Sequence, residues 1–331
     1  MPELPEVETI RRGLQKVVAE RKIEKFESFD SKVVQFAEKD IEGLYVTNIE
    51  RRAKILIFHL SRAVIPAQAG IQKEILKQVQ DDNKEKSSDK ILLCHLKMTG
   101  QLIWEACPGG SEFCLKKSRV AGGHPSPDWV GKLPNAYTRA IFHFNDESVL
   151  FFNDLRRFGY MKLYDTNISP PLTPPCKGGE YAGIPELAKL GPEPFSSEFN
   201  VDYLMRRASK IPNRKVKQFI TDQEIISGVG NIYVDEALFY AGVLPTRPVR
   251  DITKTEWQKI IQSITKALEL GLKYGGSSED TYVDAFGNQG SMNEHTMVYR
   301  KTGQPCQVCG TKVERITLGG RGTHFCPKCQ K

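Results

Sequence analysis

The amino-acid sequence predicts an α+β multidomain fold, and three observations support this. One helical pattern at the N-terminus is followed by a series of short β-branched and aromatic runs, as in strands. The pattern becomes helical after residue 197, and residues 297–331 carry four cysteines in two close pairs. A length of 331 residues fits two domains with a small third module.

The composition is that of a soluble globular protein, with 40% hydrophobic and 26% charged residues. These values exclude collagen, a coiled coil and disorder along the whole chain. No apolar run approaches the roughly 20 residues that a membrane helix needs. The acidic opening lacks the apolar core of a signal peptide. We therefore expect a cytoplasmic protein without membrane association.

The first predicted element is a helix over residues 3–20. Apolar side chains recur there at helical spacing: Val7, Ile10, Leu14, Val17 and Val18. A proline at the opening, with Glu3 and Glu6 in the first turn, is typical of a helix start.

The region that follows is predicted to form strands. The candidate runs are 44–51, 54–60, 91–96, 101–105, 138–144, 148–153 and 159–164. Several antiparallel strands after one helix indicate a sandwich or a barrel, which we assign to a domain of residues 1–167. Residues 61–90 interrupt two strands and are interpreted as a mobile hairpin insertion. Residues 106–135 are expected to form a loop.

A linker and a helical domain come next. The linker, 168–196, opens with a Pro- and Gly-rich stretch, and residues 197–296 form the helical domain. The predicted helices are 199–209, 213–225, 231–241 and 254–273. The glycines of 227–231 can expose backbone N–H groups as a phosphate seat. A Gly C-cap followed by an Asn N-cap is the alternative interpretation.

The C-terminal module is predicted to bind zinc. Its cysteines are spaced C-x2-C, sixteen residues, C-x2-C, at Cys306, Cys309, Cys326 and Cys329. Four thiolates at this spacing close a tetrahedral site across a β-hairpin, which makes the zinc structural. Two disulfides would need an oxidising compartment, which the N-terminus does not support. We expect one structural Zn²⁺ and no organic cofactor.

The charge distribution points to a polyanionic partner. The net charge is +7, and residues 297–331 hold seven Lys and Arg residues against one Glu. Such a basic block is typical of nucleic-acid binding. A solvated basic tail is the alternative.

Six motifs together resemble the bacterial formamidopyrimidine-DNA glycosylases, in that family's order and over the whole chain apart from the insertions. The sister group, the endonuclease VIII type, typically opens Pro-Glu-Gly-Pro-Glu, so Leu4 favours the formamidopyrimidine branch. The motifs are Pro2-Glu3-Leu4-Pro5-Glu6-Val7-Glu8-Thr9, Arg51-Arg52-Ala53-Lys54, His95-Leu96-Lys97-Met98-Thr99-Gly100, Asp154-Leu155-Arg156-Arg157-Phe158-Gly159, Gly228-Val229-Gly230-Asn231-Ile232-Tyr233 and the four-cysteine tail.

The resemblance implies a bifunctional enzyme of base-excision repair. It would remove oxidised purines, such as 8-oxoguanine and formamidopyrimidines, and then cleave the strand by β,δ-elimination. The implied architecture is a leading helix with a β-sandwich, a helix–two-turn–helix DNA-binding domain and a zinc-finger hairpin. Damaged double-stranded DNA would bind in the cleft between the halves of a monomer, in the nucleoid of a bacterial cytoplasm.

The resemblance also implies five catalytic residues. Pro2, freed by removal of Met1, would attack the sugar as a secondary amine, with a reference pKa near 7.7–8. Glu3 would donate a proton to the ring oxygen, and Glu6 would orient water or shuttle protons. Lys54 would assist base loss and elimination, and Arg321 would contact phosphates. Read alone, these residues are a helix-start proline, acids that complement the helix dipole and solvated charges.

A second group would bind DNA after the damaged nucleotide is flipped out. Met98, Arg156 and Phe158 match a wedge made of an apolar plug, an arginine for the orphaned cytosine and an intercalating ring. Read alone, Met98 and Phe158 are core residues.

Further residues match contacts to the DNA backbone. Arg157, Lys217 and Asn231 are predicted to bind phosphates. Tyr137 and Asn213 stand where relatives often carry a His and a basic residue.

Two alternative functions remain open from the sequence. Segment 281–296 corresponds to the lid over the flipped base and is shorter than in some relatives, which leaves the lesion preference open.

One alternative function is an endonuclease VIII-type glycosylase for oxidised pyrimidines. The other is a non-catalytic zinc-finger DNA-binding protein, against which Pro2 with Glu3 argues, since a binder needs no free N-terminal amine.

Overall fold

A computed structural model describes residues 1–62, 89–106, 119–122, 133–166, 183–277 and 290–331, with the backbone alone at 119–122. The predicted insertion at 61–90 lies outside the described residues except at its ends. The Pro- and Gly-rich stretch 168–180 lies outside them entirely, and the predicted lid is described only from residue 290.

The predicted N-terminal helix is present as α1, Leu4–Val18, and its apolar face is buried. Among the described residues up to 166, nine strands follow it, and they form two antiparallel sheets with the orders β1-β7-β8-β5-β6 and β2-β3-β4-β9. The strands are β1 (Ile23–Ser28), β2 (Tyr45–Arg52), β3 (Ile55–Ser61), β4 (Lys90–His95), β5 (Gly100–Glu105), β6 (Arg119–Gly122), β7 (Thr138–Phe144), β8 (Val149–Asp154) and β9 (Tyr160–Asp165).

The two sheets pack face to face, which confirms the sandwich and excludes the barrel. One apolar cluster contains residues of both sheets and of α1, among them Phe152 from the first sheet, Phe58 from the second and Leu14 from the helix. Burial of this cluster is the main source of stability for the domain.

Two strands were not predicted. In β1 the pairing register shifts between Ile23 and Lys25, so the buried positions are Ile23 and Phe26. The two buried residues are three positions apart, a spacing typical of a helix. The bulge causes this, because it interrupts the alternation of buried and exposed residues expected of a strand. The prediction of a loop over 106–135 is also wrong at β6, because a strand of four residues is too short to show a periodic pattern.

The second half of the chain is helical, as predicted. The helices are α2 (Pro185–Ala188), α3 (Val201–Ser209), α4 (Val216–Ile220), α5 (Asn231–Ala241) and α6 (Lys254–Lys273), with short 3₁₀ turns at Glu38–Asp40, Val249–Asp251 and Met292–His295. In the part of the chain that the structure describes, no helix is long and apolar enough to cross a membrane.

One helix prediction for this half was wrong. The helix expected at 213–225 is only α4, because Thr221 ends it and the Asp222 side chain then accepts a bond from the Glu224 N–H in a turn. Of the predicted linker 168–196, the structure describes residues 183–196, in which Ile184 and Leu187 pack against the second sheet.

The two halves meet at the start of α1. The side chain of Leu4 belongs to the apolar core of the helical domain rather than to that of the sandwich. Its N–H donates to the Gly228 carbonyl at 3.1 Å. The first residues of the chain are therefore held against the loop that precedes α5.

The C-terminal module is a β-hairpin of β10 (Glu314–Leu318) and β11 (Arg321–Phe325). Gly319 and Gly320 form its two-residue turn with φ of +58° and +74°. This is the backbone that hairpin turns need and that glycine adopts without strain. The module packs on α5 through Phe239, and the turn places Arg321 at the exposed start of β11.

Candidate active site and metal centre

The centre of the candidate site is the carboxyl group of Glu3, which is buried beneath the N-terminus of α5. Its Oε1 accepts a bond from the Ile232 N–H at 3.1 Å. Gly230 makes this approach possible, because a Cβ there would lie 2.1 Å from the Glu3 Cδ. The group that this glycine-rich helix start accommodates is therefore a side chain of the protein. Gly230, rather than Asn231, is the N-cap residue of α5.

The second oxygen of Glu3 is available for chemistry. Oε2 is buried and has no hydrogen-bond partner among the described residues. Burial raises the pKa of Glu3, an effect that Lys54 and the chain's amino terminus oppose. Burial therefore increases the protonated share of the carboxyl, which can then donate a proton from the unpaired oxygen.

Glu6 fixes the geometry around Glu3. Its Oε2 accepts a bond from the Glu3 N–H at 2.9 Å. Its Oε1 accepts bonds from the Tyr233 hydroxyl at 2.6 Å and from the Ser277 N–H at 2.8 Å. These bonds give Glu6 an anchoring role at the junction of α1, α5 and the segment after α6. Its participation in proton transfer stays a prediction.

Lys54 reaches the same site from the turn between β2 and β3. Its Nζ is buried and donates to the Val229 carbonyl at 3.2 Å, next to Gly230. Burial lowers the pKa of Lys54, Glu3 raises it, and Arg321 lowers it further. Pro2 is buried at the residue before Glu3. The structure thus brings Lys54 to the loop against which the carboxyl of Glu3, the residue after Pro2, is packed.

Sequence reasoning missed the residue that holds the Lys54 turn. Ala53 has a left-handed φ of +55°, and the Glu193 carboxylate accepts its N–H at 2.6 Å. Arg51 donates to the Ala53 carbonyl at 2.9 Å and also pairs with Glu193 through two nitrogens. Because Glu193 lies 140 residues away, within the predicted linker, no local pattern connects it with Lys54.

The three predicted wedge residues project from neighbouring turns. Met98 and Phe158 are 43% and 54% exposed, so the core-packing interpretation is wrong for both. An Arg156 guanidinium nitrogen lies 3.5 Å from the Met98 sulfur. The buried carboxylate of Asp154 organises the turn, because it accepts the N–H groups of Arg156 at 3.2 Å and Gly159 at 2.7 Å.

Lys217, a predicted phosphate contact, is buried and paired within the protein. Its side chain is only 2% exposed, and Nζ lies 2.6 Å from the Asp235 carboxylate. Lys217 and Asn231 both donate to the Gly322 carbonyl, each at 3.0 Å. These two residues therefore hold the backbone beside Arg321, since Lys217 already has its counter-charge inside the protein.

The other predicted DNA contacts lie at the surface or are half-buried. Arg157 is half-exposed and paired with Asp30. Asn213 is exposed, and its side-chain oxygen accepts a bond from Arg250. Tyr137 is half-buried. Their contacts with DNA remain predictions.

The four cysteines of the hairpin module form a cluster that fits a tetrahedral metal. All four Sγ atoms lie within 4.8 Å of one another. Cys306 and Cys329 have an Sγ–Sγ distance of 3.9 Å, and Cys309 and Cys326 one of 3.5 Å. Bonds of about 2.3 Å in a tetrahedron place sulfurs about 3.8 Å apart, whereas a disulfide is near 2.05 Å. The geometry is that of a metal site.

Models of three protein domains match successive parts of the chain. Residues 1–161 match the formamidopyrimidine-DNA glycosylase N-terminal domain, and residues 190–283 match the H2TH domain of formamidopyrimidine-DNA glycosylase. Residues 303–331 match a zinc finger found in FPG and IleRS.

Whole proteins agree with these matches. The chain is 32% identical to the formamidopyrimidine-DNA glycosylase of an Exiguobacterium strain, over all of both chains. A mutant of Lactococcus lactis FPG, solved in complex with Fapy-dG-containing DNA, is 28% identical, with a TM-score of 0.75 over all of both chains. The wild-type L. lactis protein with DNA containing an oxidised pyrimidine is 28% identical, with a TM-score of 0.73 over the same coverage. The chain belongs to the formamidopyrimidine-DNA glycosylase family, the DNA glycosylases of base-excision repair.

Proposed function

We propose that this glycosylase removes oxidised purines, 8-oxoguanine and formamidopyrimidines, from duplex DNA and then cleaves the strand at the abasic site. The observation that carries the proposal is the buried Glu3 carboxyl, with one unpaired oxygen and a raised pKa, directly after Pro2. The relative solved with Fapy-dG-containing DNA supports the choice of oxidised purines.

Base loss begins with the Pro2 nitrogen. Once Met1 is removed, this nitrogen is a secondary amine whose neutral form carries a lone pair. It attacks C1′ of the damaged nucleotide as the C1′–base bond breaks, and the base leaves with the bonding electrons and takes up the proton that the attacking nitrogen releases. Glu3 Oε2 protonates the ring oxygen, so the sugar opens and an iminium forms between C1′ and the Pro2 nitrogen.

Strand cleavage follows from the iminium, which accepts the electrons released when a C2′ proton is lost. The 3′ phosphate then leaves by β-elimination. After a C4′ proton is also lost, the 5′ phosphate leaves by δ-elimination, and water then releases the sugar remnant from Pro2. Lys54 is the nearby amine for these proton transfers, because burial favours its neutral form. Arg321 stabilises the departing phosphate.

The DNA partner is a damaged duplex whose target nucleotide is flipped into the site. Met98 and Phe158 are exposed apolar side chains that fill the vacated stack, and Arg156 between them faces the unpaired cytosine. We propose that one copy of the chain acts alone, on the nucleoid in a bacterial cytoplasm.

The metal of the cysteine cluster is proposed to be one structural Zn²⁺. Thiolates suit zinc, and four of them leave no open position for a substrate. When bound, zinc supplies a cross-link between the two cysteine pairs. Because Cys326 directly follows β11, this cross-link fixes the strand that begins with Arg321.

Replacing Cys326 with serine should remove the zinc and weaken DNA binding by about tenfold. The cause is loss of one thiolate, which loosens the strand that carries Arg321. Zinc per protein and the Kd for an abasic duplex measure the two effects. Cys94→Ser is the control, since Cys94 is a buried free thiol in β4. Unchanged zinc in Cys326→Ser would contradict the assignment.

Oxidised pyrimidines are a second candidate substrate class, because the L. lactis relative was also solved with DNA containing one. Relative kcat/KM values on duplexes with 8-oxoguanine or an oxidised pyrimidine distinguish the two classes. A preference for the pyrimidine would reverse our substrate assignment.

Borohydride trapping tests the proposed chemistry. Borohydride reduces an iminium to a stable amine, so the protein should become covalently attached to duplex DNA containing 8-oxoguanine. The adduct should map to the N-terminal peptide. Glu3→Gln should lose this adduct but keep the one formed on a preformed abasic site, where the glycosidic bond is already broken. Strand cleavage without any adduct would refute the imine mechanism, and binding without cleavage would favour the non-catalytic alternative.

A further inference from the structure

Asp30 is a buried acid that contacts the wedge turn from a distant part of the chain. It lies just after β1, and its side chain is 4% exposed. Oδ2 accepts a bond from Arg157 Nε at 2.5 Å, and Oδ1 accepts one from Arg157 Nη2 at 2.9 Å. This two-point contact fixes the plane of the guanidinium as well as its position. The Arg157 side chain is 52% exposed, so the pair joins a buried acid to a half-exposed arginine.

Arg157 occupies a strained place in the turn. Its φ is +57°, in the left-handed region, which costs about 1 kcal/mol or more for a residue with a side chain. The residues on either side are Arg156 and Phe158, two of the three wedge residues. Any change in the Arg157 backbone therefore redirects both neighbours.

Asp30 is itself held firmly. Its Oδ1 also accepts the Lys32 N–H at 3.1 Å, and its carbonyl accepts the N–H groups of Val33 and Val34 at 3.0 and 2.9 Å. A second cation supports the arrangement, since Arg139 Nε lies 3.9 Å from Asp30 Oδ2 and donates to the Asp154 carbonyl at 2.9 Å. Arg139 thus links Asp30 to Asp154, the acid whose carboxylate organises the wedge turn.

We propose that Asp30 is a positioning residue for the base-flipping wedge: by clamping Arg157 in its left-handed conformation, it sets the directions of Arg156 and Phe158 before DNA binds. The inference rests on the proposed role of the wedge in nucleotide flipping. It assigns Asp30 no contact with the substrate.

A different role for the same contact makes the opposite prediction. If Asp30 only competed with DNA phosphate for Arg157, removing its charge would free the arginine. DNA binding would then tighten, and wedge insertion would keep its rate. Under the positioning role, insertion slows because the turn must find its conformation after binding.

The test follows wedge insertion without chemistry. A duplex carries an uncleavable tetrahydrofuran abasic site beside 2-aminopurine, whose fluorescence rises when it is unstacked. In Asp30→Asn the rate of this rise should fall about tenfold, because a neutral amide cannot reproduce the two charged bonds. The matched control is Glu27→Gln, which removes an acid of β1 that pairs with His143 instead. It should retain the wild-type rate.

Two further measurements keep a folding defect apart from a positioning role. Asp30→Glu should recover part of the rate, and cleavage of a single-stranded abasic oligonucleotide, which has no stack to fill, should remain at wild-type level in Asp30→Asn. In an Arg157→Ala background, Asp30→Asn should add little, because the two residues act as a unit.

An unchanged insertion rate in Asp30→Asn, tighter binding at the wild-type rate, or equal losses on duplex and single strand would each overturn the inference. Excision of 8-oxoguanine by the wild-type protein, measured in parallel, tests the proposed function separately.

Discussion

Protein that retains Met1, or carries an N-terminal tag, should lose base excision and strand cleavage together, by at least about a thousandfold. Retention turns the Pro2 nitrogen into an amide nitrogen, whose lone pair is delocalised into the carbonyl. It can no longer attack C1′ or form an iminium. DNA binding should survive, because the predicted phosphate and wedge contacts lie on other elements.

Mass spectrometry of the intact protein and cleavage assays on the same samples measure this effect. Pro2→Gly is the graded comparison, since a primary amine remains but is placed less firmly. Its loss should be smaller than that of the blocked protein. Strand cleavage at the wild-type rate by protein verified to retain Met1 would mean that another amine reacts. Lys54 would then be the first candidate, because burial lowers the pKa of its amine at the same site.

Regular amphipathic elements were predictable because one period of burial runs through each of them. The expected helix at 254–273 has the bounds found for α6, and Thr253 caps it as a side-chain acceptor. The cysteine spacing likewise predicted a cluster that the structure brings together. In both cases the residues that decide the structure lie close together in the chain.

The misses have a common physical cause, which is that a distant partner decides the outcome. The bulge in β1 depends on pairing with β7. The burial of Lys217 could not be predicted from the sequence, because its counter-charge, Asp235, lies on another helix. The roles of Glu193 and Asp30 could not be predicted for the same reason, since each contacts a motif more than a hundred residues away in the chain.

The glycines before α5 show how a correct motif can receive the wrong explanation. The phosphate seat and the Gly-cap with Asn-cap were both reasonable local interpretations. The structure shows instead that Gly230 leaves room for Glu3, from the other end of the chain.

Replacing Gly230 with alanine should therefore reduce base excision by about a hundredfold or more while sparing cleavage of a preformed abasic site. The backbone tolerates the change, because φ is −129°. The new Cβ would lie 2.1 to 2.5 Å from the Glu3 carboxyl atoms, so the carboxyl must move away from the Ile232 N–H. General acid catalysis contributes about 10² to 10⁴ in rate, and Glu3 would supply it from the wrong place.

Gly43→Ala is the matched control for Gly230→Ala. Its φ of +81° imposes a backbone cost of about 1 kcal/mol, but nothing lies within 4 Å of the added Cβ. That variant should lose some thermal stability and keep both activities. For Gly230→Ala, the ratio of 8-oxoguanine excision to abasic-site cleavage separates a displaced acid from a damaged fold. Excision at the wild-type rate would mean that Glu3 does not need its present position, whereas equal loss of both activities would mean that the alanine disturbs the whole junction of α1 with α5.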